Sequence, residues 1–361
     1  MCCNHPSALK SVCSVYIFDS DGGGWNKEGK ILMSLSYILA EKLCYSVKGI
    51  TGNGLGGFII KPAKNSNKKK EIPLCLKRRD LRVKRYEVGE FSIFRIRSRS
   101  RKTEEKRAVL FLPGGGGLAS ATFLHYDTAR KIAANTGADV FIANYPLAPE
   151  HNARYALEWL EKVYHTLLKH YEAKDITFMG DSAGANLCLS LTNRLDKKPG
   201  GLIIISPACG LENGKNRDIR LSMEKIDPFL TVKMNDTIAQ TWCRNIPLIS
   251  PDISPEYIDY TGFPPMYFLY GEHELFYYHV KKLLAMLKDQ KIVFKEECKP
   301  MCHDWALCGM FPEGRRAIKN MSRWIYETRE FRILLTGHSV ATWKDEDIPC
   351  VCADFSKVKA V

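Results

Sequence analysis

Short apolar runs alternate with amphipathic segments through the middle of this chain. The runs have the length of β-strands, and between them apolar positions recur at the spacing of a helical face. Buried strands that alternate with helices are typical of a mainly parallel sheet covered on both faces, so the pattern predicts an α/β fold. The predicted strands are 108–112, 138–144, 176–179, 201–206, 265–271 and 292–297, and the predicted helices between and after them are 123–134, 155–170, 279–290 and 313–329.

The flanking regions follow other patterns. Apolar residues at helical spacing predict an amphipathic helix over 27–44, and alternation over 81–97 predicts a β-hairpin that turns at Val88-Gly89. Residues 213–251 are more polar and interrupt the strand–helix rhythm. We therefore divide the chain into three parts: an N-terminal segment (1–75), an α/β domain (76–335) with an insertion at about 213–251, and a C-terminal tail (336–361).

Composition and charge narrow the class of protein. The 361 residues are 45% apolar and 11% aromatic, which is enough for a sizeable core. The net charge is +13, and the segment Lys61 to Lys84 contributes ten Lys or Arg against two acids. A solvated loop is the favoured interpretation of this segment, and a weak association with a membrane surface is the alternative. Aromatic residues are not interleaved with the cations, so we expect no nucleic-acid partner.

The cysteines indicate a reducing compartment. There are 13 of them, an odd number scattered over a long chain, which favours free thiols and a cytoplasmic protein. We find no signal-peptide pattern and no apolar stretch typical of a membrane-spanning helix. Cys298, Cys302, His303 and Cys308 form the one cluster with metal-binding residue types, but it has no CxxC pair, so we expect neither a metal nor a cofactor.

The segment 175–187 (DITFMGDSAGANL) carries the first sign of chemistry. A strand-forming run enters Gly180-Asp181-Ser182-Ala183-Gly184, and helix-forming residues follow. A serine at a strained strand-to-helix turn, with a glycine two residues to either side, is the pattern of a nucleophile elbow. An ordinary serine in a glycine-bounded turn is the alternative, and the strand and helix around the motif favour the elbow.

A serine nucleophile needs a base and an orienting acid. In an elbow-type enzyme the order along the chain is serine, acid, histidine, with both partners just after strands. His303 follows the last predicted strand, and Glu272 and Glu274 follow the strand that ends at Tyr270. We prefer Glu274 as the acid, although spacing does not separate the two glutamates.

Four glycines follow the first buried strand, in the segment 113–117 (PGGGG). Glycines there leave backbone N–H groups uncovered, so they can approach the oxygen of a substrate that develops negative charge. A flexible linker and a phosphate-binding loop are the alternatives. The phosphate-binding loop requires a following Lys-Ser/Thr or GxGxxG spacing, and the sequence has neither.

Taken together, these motifs resemble the hormone-sensitive-lipase-like branch of the α/β-hydrolases. The matching segments are FLPGGGG at 111–117, NYPLAPEH at 144–151, GDSAGANL at 180–187, DPFLT at 227–231, GFPPMYFLYGEHELF at 262–276 and CHDW at 302–305. The resemblance implies an α/β-hydrolase fold with a helical cap. It implies that the cap is built from the helix predicted at 27–44 and from the insertion.

The resemblance also implies a role for each matching residue. Ser182 would be the nucleophile, His303 the base and Glu274 the acid, at a place where the family usually has aspartate. The N–H groups of Gly115, Gly116 and Ala183 would form the oxyanion hole. Three positions depart from the family pattern: Pro113 replaces a histidine of the glycine loop, Pro146 replaces an arginine, and Gly210 lies near the place of a frequent aspartate.

We therefore expect a serine carboxylesterase that cleaves esters of small or lipophilic molecules through an acyl-enzyme. The alternatives are a non-catalytic receptor of the same fold, which would bind a small molecule in the same pocket, and an amidase or deacetylase. The sequence does not indicate an oligomeric state.

Overall fold

The fold is built around one eight-stranded sheet in a computed structural model of the chain. The structure describes residues 17–18, 24–25, 31–32, 34–51, 67–68, 70–100, 106–211, 217–287 and 293–337. The strands are β1 (Ile17–Phe18), β2 (Gly24–Trp25), β3 (Ile31–Leu32), β4 (Leu81–Val88), β5 (Phe91–Ser98), β6 (Ala108–Leu112), β7 (Asp139–Ala143), β8 (Ile176–Asp181), β9 (Gly201–Ile205), β10 (Met266–His273) and β11 (Val293–Cys302).

The strand order in the main sheet is β11-β10-β9-β8-β6-β7-β5-β4. The strands from β11 to β7 are parallel to one another, and the hairpin β4–β5 joins antiparallel at the β7 side. β1, β2 and β3 form a separate small antiparallel sheet. The expectation of an α/β fold with a mostly parallel sheet is thus confirmed.

Helices cover both faces of the sheet and create two apolar layers. Leu157, Leu187 and Val280 are buried in one layer, whereas Ile132 and Ile318 are buried in the other. The helices are Leu35–Thr51, Phe123–Thr136, Ala153–Leu167, Ala183–Arg194, Arg217–Glu224, Val232–Thr241, Tyr277–Met286 and Pro312–Gly337. Four short 3-10 turns lie at Leu74–Leu76, Ala173–Asp175, Pro255–Tyr257 and Trp305–Leu307.

The last strand is longer than its sequence pattern predicts. β11 continues to Cys302, past Pro300 and past the predicted end at 297. Proline cannot donate to a strand ladder, so it is tolerated where one side of the strand is free. β11 meets that condition, because β10 is its one neighbour in the described sheet. His303 therefore follows directly on the end of a strand.

The N-terminal helix begins later than predicted. It spans Leu35–Thr51 rather than 27–44, and Ile31 and Leu32, which fit the same helical spacing, form a short strand instead. A carboxylate from the other end of the chain fixes its start, since Glu313 accepts hydrogen bonds from the backbone N–H and the hydroxyl of Ser34. This contact between distant residues leaves no local signal in the sequence.

Part of the basic segment belongs to the folded domain. Leu76 lies in a 3-10 turn and is buried, and β4 begins at Leu81. Residues 61–66 and 69 of that segment lie outside the described residues, as does the tail beyond 337. The last helix runs to Gly337, two residues into the predicted tail.

Candidate active site

The candidate nucleophile lies at a strained turn between β8 and the helix Ala183–Arg194, which we call the elbow helix. Ser182 has φ 51° and ψ −119°, in a region that L-residues rarely adopt. A Cβ added at Gly180 would lie 2.5 Å from the backbone of Gly184, and one added at Gly184 would lie 1.9 Å from the carbonyl oxygen of Leu112. Both glycines are therefore required by close backbone packing, as an elbow demands.

The structure brings the candidate acid and base together. Glu274 lies just after β10 and His303 just after β11, and these neighbouring parallel strands end at the same edge of the sheet. Oε2 of Glu274 lies 3.0 Å from Nδ1 of His303, and its Oε1 accepts a hydrogen bond from the N–H of Gly271 at 3.2 Å. Glu274 is fully buried beside the imidazole, so its carboxylate is placed to orient the ring of His303.

The second ring nitrogen of His303 faces a carboxylate of the neighbouring residue. Oδ2 of Asp304 lies 3.3 Å from Nε2, which makes no hydrogen bond to any described residue, Ser182 included. Burial tends to lower the pKa of His303, but the carboxylates of Asp304 and Glu274 outweigh it and raise this pKa to about 9. In enzymes without substrate, the hydrogen bond between base and nucleophile is often long or poorly aligned and tightens only when the substrate binds.

A short chain of contacts connects the nucleophile to the loop that carries the base. The N–H of Ser182 donates to the carbonyl of Ile205 at 2.9 Å, and the N–H of Asp304 donates to the hydroxyl of the next residue, Ser206, at 3.1 Å. The ring of Phe276 packs edge-on against His303 at 5.6 Å and lines the same pocket as Ser182. These contacts place the base at the border of the nucleophile's pocket.

Asp181 positions the glycine loop and was not identified from the sequence. Its Oδ2 accepts a hydrogen bond from the N–H of Gly114 at 3.0 Å and lies 3.1 Å from Nε2 of His125. Nδ1 of His125 accepts from the N–H of Thr122 at 2.8 Å, so Nε2 carries the proton that points at Asp181. The sequence placed Asp181 inside a familiar motif, but it gave no sign of these partners.

Tyr145 holds the same loop from the other side. Its hydroxyl donates to the carbonyl of Pro113 at 2.6 Å, and the N–H of Ala148 donates to the carbonyl of Gly117 at 2.8 Å. Both residues belong to the NYPLAPEH segment, so that segment supports the glycine loop directly. Pro113, which replaces the family's histidine, is thus held through its backbone.

A pocket opens in front of Ser182 and extends under the cap. It encloses about 510 Å³, part of it open to solvent. Gly116, Ala183 and Ser182 form its floor, whereas Gly115 is not among the residues that line it. The other lining residues are Asn186, Ala208, Leu211, Leu230, Thr231, Met234, Asn235, Ile238, Trp242, Ile253, Leu275 and Phe276.

The cap is attached through Asp227 and Lys48. The buried carboxylate of Asp227 accepts from the N–H groups of Phe229 and Leu230, which belong to the cap, and from that of Leu275, next to the candidate acid. Burial raises the pKa of this carboxyl. Lys48, from the N-terminal helix, donates to the backbone carbonyls of Asp227, Leu230 and Glu224. The N-terminal helix and the insertion are therefore in direct contact.

Two features are absent from the described part of the chain. No group of three or more His, Cys, Asp or Glu side chains is arranged there to hold a metal ion. None of the helices described combines the length and the apolar character needed to cross a bilayer.

Comparison with known proteins connects this geometry to a family. The family model described as an alpha/beta hydrolase fold matches residues 109–307, more than half of the chain. An esterase from Acinetobacter venetianus is 28% identical over 228 residues, which cover 59% of this chain and 73% of that protein. Hormone-sensitive lipase from Mus musculus is 29% identical over 149 residues, 38% of this chain but only 19% of that protein.

Solved structures show the same architecture. An esterase from the bacterial hormone-sensitive lipase family has a TM-score of 0.64 at 24% identity, over 71% of this chain and 86% of that one. The protein EstE5 has a TM-score of 0.67 at 21% identity, over 82% of this chain and 99% of that one. At these identities the likeness establishes a shared fold.

Proposed function

Because the chain belongs to the α/β-hydrolase family, in its hormone-sensitive-lipase-like branch, we propose that it is a serine carboxylesterase. The observation that carries the proposal is the set of three groups at one edge of the sheet: a serine on a strained elbow, and a histidine oriented by a buried glutamate. The relatives named esterase and acetyl-hydrolase support an ester substrate.

The proposed reaction has two steps. Oγ of Ser182 attacks the ester carbonyl while Nε2 of His303 takes its proton, and the imidazolium then gives that proton to the departing alcohol. Water, deprotonated by His303, next attacks the acyl-enzyme and releases the acid. Glu274 keeps the proton of His303 on Nδ1, which leaves Nε2 free to act as the base.

The oxyanion that forms in each step needs donors beside Ser182. Ala183 follows the nucleophile at the start of the elbow helix, and Gly116 lines the same pocket, so their N–H groups are the best-supported donors. Gly115, with φ 111°, lies in the same loop and completes the proposed set.

Substitution of the nucleophile tests the proposal. Ser182→Ala removes the only oxygen that can form the acyl-enzyme, so we expect kcat for a short-chain nitrophenyl ester to fall by at least about 10³-fold. The control is the melting temperature of both proteins, which should agree to within a few degrees. Equal rates for wild type and Ser182→Ala would overturn the assignment.

A fluorophosphonate probe separates an enzyme from a receptor of the same fold. An activated serine is phosphonylated, so the wild type should be labelled at Ser182 and the Ser182→Ala protein should not. A folded protein that binds small esters but is never labelled would be a receptor. Parallel rates on matched esters and amides would then distinguish an esterase from an amidase.

A further inference from the structure

One buried polar side chain in the pocket makes no hydrogen bond to any described residue. Asn235 lies on the helix Val232–Thr241, which we call the cap helix, and its side chain is 2% exposed. Neither its amide nitrogen nor its amide oxygen has a hydrogen-bond partner among the described residues. Burying an amide without partners is destabilising, so a folded chain gains nothing from this side chain on stability grounds.

The geometry of the cap helix turns Asn235 towards the pocket. Thr231 caps the helix by accepting a hydrogen bond from the N–H of Met234 at 3.2 Å. Three positions of the helix and the residue after it fall on one face, at the spacing of successive turns, and they line the pocket together with Thr231. These residues are Met234, Asn235, Ile238 and Trp242.

A second asparagine in the same pocket has the hydrogen bonds expected of an amide that supports the fold. Asn186, on the elbow helix, donates to the carbonyls of Ala208 at 2.8 Å and Ile253 at 2.6 Å, and its oxygen accepts from Ser190 at 3.4 Å. The fold uses both ends of this amide. Neither end of Asn235 has a partner in the described part of the chain, although Asn235 is 2% exposed and Asn186 is 6% exposed.

The other walls of the pocket decide what Asn235 can bind. None of the described residues that line it carries a charge, and most of them are aliphatic or aromatic. A charged substituent would lose its hydration here without gaining a partner. An amide offers two N–H donors and a carbonyl acceptor, which suits a hydroxyl group or a carbonyl group equally well.

We propose that Asn235 is a specificity-determining residue that hydrogen-bonds an uncharged hydroxyl or carbonyl substituent on an otherwise apolar ester substrate. This inference rests on the proposed esterase function of the same pocket. It names the substrate class: esters with an uncharged polar group at some distance from the scissile bond, rather than plain alkyl esters. The polar group can lie in the acyl part or in the alcohol part of the ester, and in both cases it would form the same hydrogen bond with Asn235.

The test compares matched esters that differ by one hydroxyl group. In one arm, methyl esters of straight-chain acids carry a hydroxyl at successive carbons of the acyl chain or none. In the other arm, acetates of straight-chain diols are compared with acetates of the corresponding alcohols. The measured quantity is the ratio of kcat/KM for the hydroxylated ester to kcat/KM for the plain ester. We expect the best ratio to exceed one in the wild type, and the arm in which it does so locates the polar group.

The decisive variant is Asn235→Leu, which keeps the branching and the number of heavy atoms of the side chain and replaces its polar atoms by methyl groups. We expect that best ratio to fall by about tenfold or more, because the hydroxyl would then be buried without a partner. Met234→Leu, on the same face of the cap helix, is the matched control: it alters the shape of the pocket and should change both esters alike. A ratio that is unaffected by Asn235→Leu overturns the proposal.

The melting temperature of Asn235→Leu provides a second test. A structural role for Asn235 predicts a lower melting temperature, whereas a role in substrate binding does not. Since Asn235 has no hydrogen-bond partner among the described residues, Asn235→Leu should leave the melting temperature unchanged or raise it. A clear drop would mean that the amide supports the fold, and this outcome would also overturn the proposal.

Failure of the two proposals can be told apart. If the wild type hydrolyses plain esters but never prefers a hydroxylated one, the esterase stands and the role of Asn235 is wrong. If no ester is hydrolysed, the esterase proposal fails. Binding of the same ester pairs to the wild type, measured by calorimetry, then decides on Asn235 alone: a preference lost in Asn235→Leu supports its role, and equal affinities contradict it.

Discussion

The two walls of the pocket are built in opposite ways. On the sheet side, hydrogen bonds hold the polar groups in place: Asp181 binds Gly114, Tyr145 binds Pro113, and Glu274 binds both His303 and Gly271 of β10. On the cap side the cap helix presents an apolar face, and its one buried amide, Asn235, is unpaired among the described residues.

The difference matches what each wall has to do. Donors that stabilise an oxyanion must be in place before the charge develops, so the sheet side needs a fixed network of supports. A wall that recognises substrate keeps its hydrogen-bonding capacity for the ligand, at some expense of stability. The sheet side should therefore control kcat and the cap side should control the choice of substrate. Three further predictions test this contrast.

The largest effect should come from the sheet side. Asp181→Ala removes the acceptor that holds both Gly114 and His125, so the glycine loop would lose its position. We expect kcat to fall by about 10²–10³-fold, as for the loss of an oxyanion donor, with a smaller change in KM. Steady-state kinetics on a nitrophenyl ester measure this split.

Asp181→Asn is the matched control for that prediction. Its amide oxygen can still accept from Gly114, so it should recover a large part of kcat. If Asp181→Ala raised KM and left kcat intact, the loop would be part of substrate recognition and the contrast between the walls would fail.

An intermediate effect is expected in the pH profile. His303 must be neutral to act as a base, and its pKa is raised to about 9, so kcat/KM should rise with pH up to that value. Asp304→Asn removes a carboxylate 3.3 Å from Nε2. The pKa of His303 should then fall, and the rising limb should move to lower pH by on the order of one unit. Activity at neutral pH would increase.

Asparagine suits this test because Asp304 has φ 57°, a backbone conformation that asparagine also tolerates. A rising limb at the same pH in both proteins would show that Asp304 does not control the charge of the base.

The smallest effect should come from the attachment of the cap. Lys48→Met removes the ammonium that donates to three cap carbonyls. We expect KM to rise by about fivefold or less, equivalent to about 1 kcal/mol, while kcat stays nearly constant. Lys42→Met is the control, since Lys42 is exposed on the same helix. Equal changes in both variants, or a loss confined to kcat, would contradict a role in holding the cap.

The sequence predicted the central fold well because its signals are local. The strands β6 and β9 are fully buried apolar runs, and their bounds agree with the predicted ones to within a residue. The hairpin β4–β5 turns after Val88, as the alternation indicated. The elbow is only partly local: the glycine at 180 is required by the backbone of Gly184, four residues on, whereas the glycine at 184 is required by Leu112 on a neighbouring strand.

Contacts between distant residues could not be predicted in this way. The start of the N-terminal helix depends on Glu313, and the glycine loop depends on Tyr145 and Asp181. The choice between Glu272 and Glu274 depended on which side chain points at His303. Nothing in the sequence marks Asn235 as a residue of the pocket, because its distinction is the absence of a hydrogen-bond partner among the described residues.

The position of β11 at the margin of the sheet has a consequence for how activity is lost. The nucleophile follows β8, an interior strand, whereas the base follows β11, which pairs with β10 alone in the described sheet. Peripheral strands open in sub-global fluctuations that cost less free energy than global unfolding. On gentle heating, activity should therefore be lost while most of the chain is still native. The temperature at which activity ends then reports local opening at β11 rather than global unfolding.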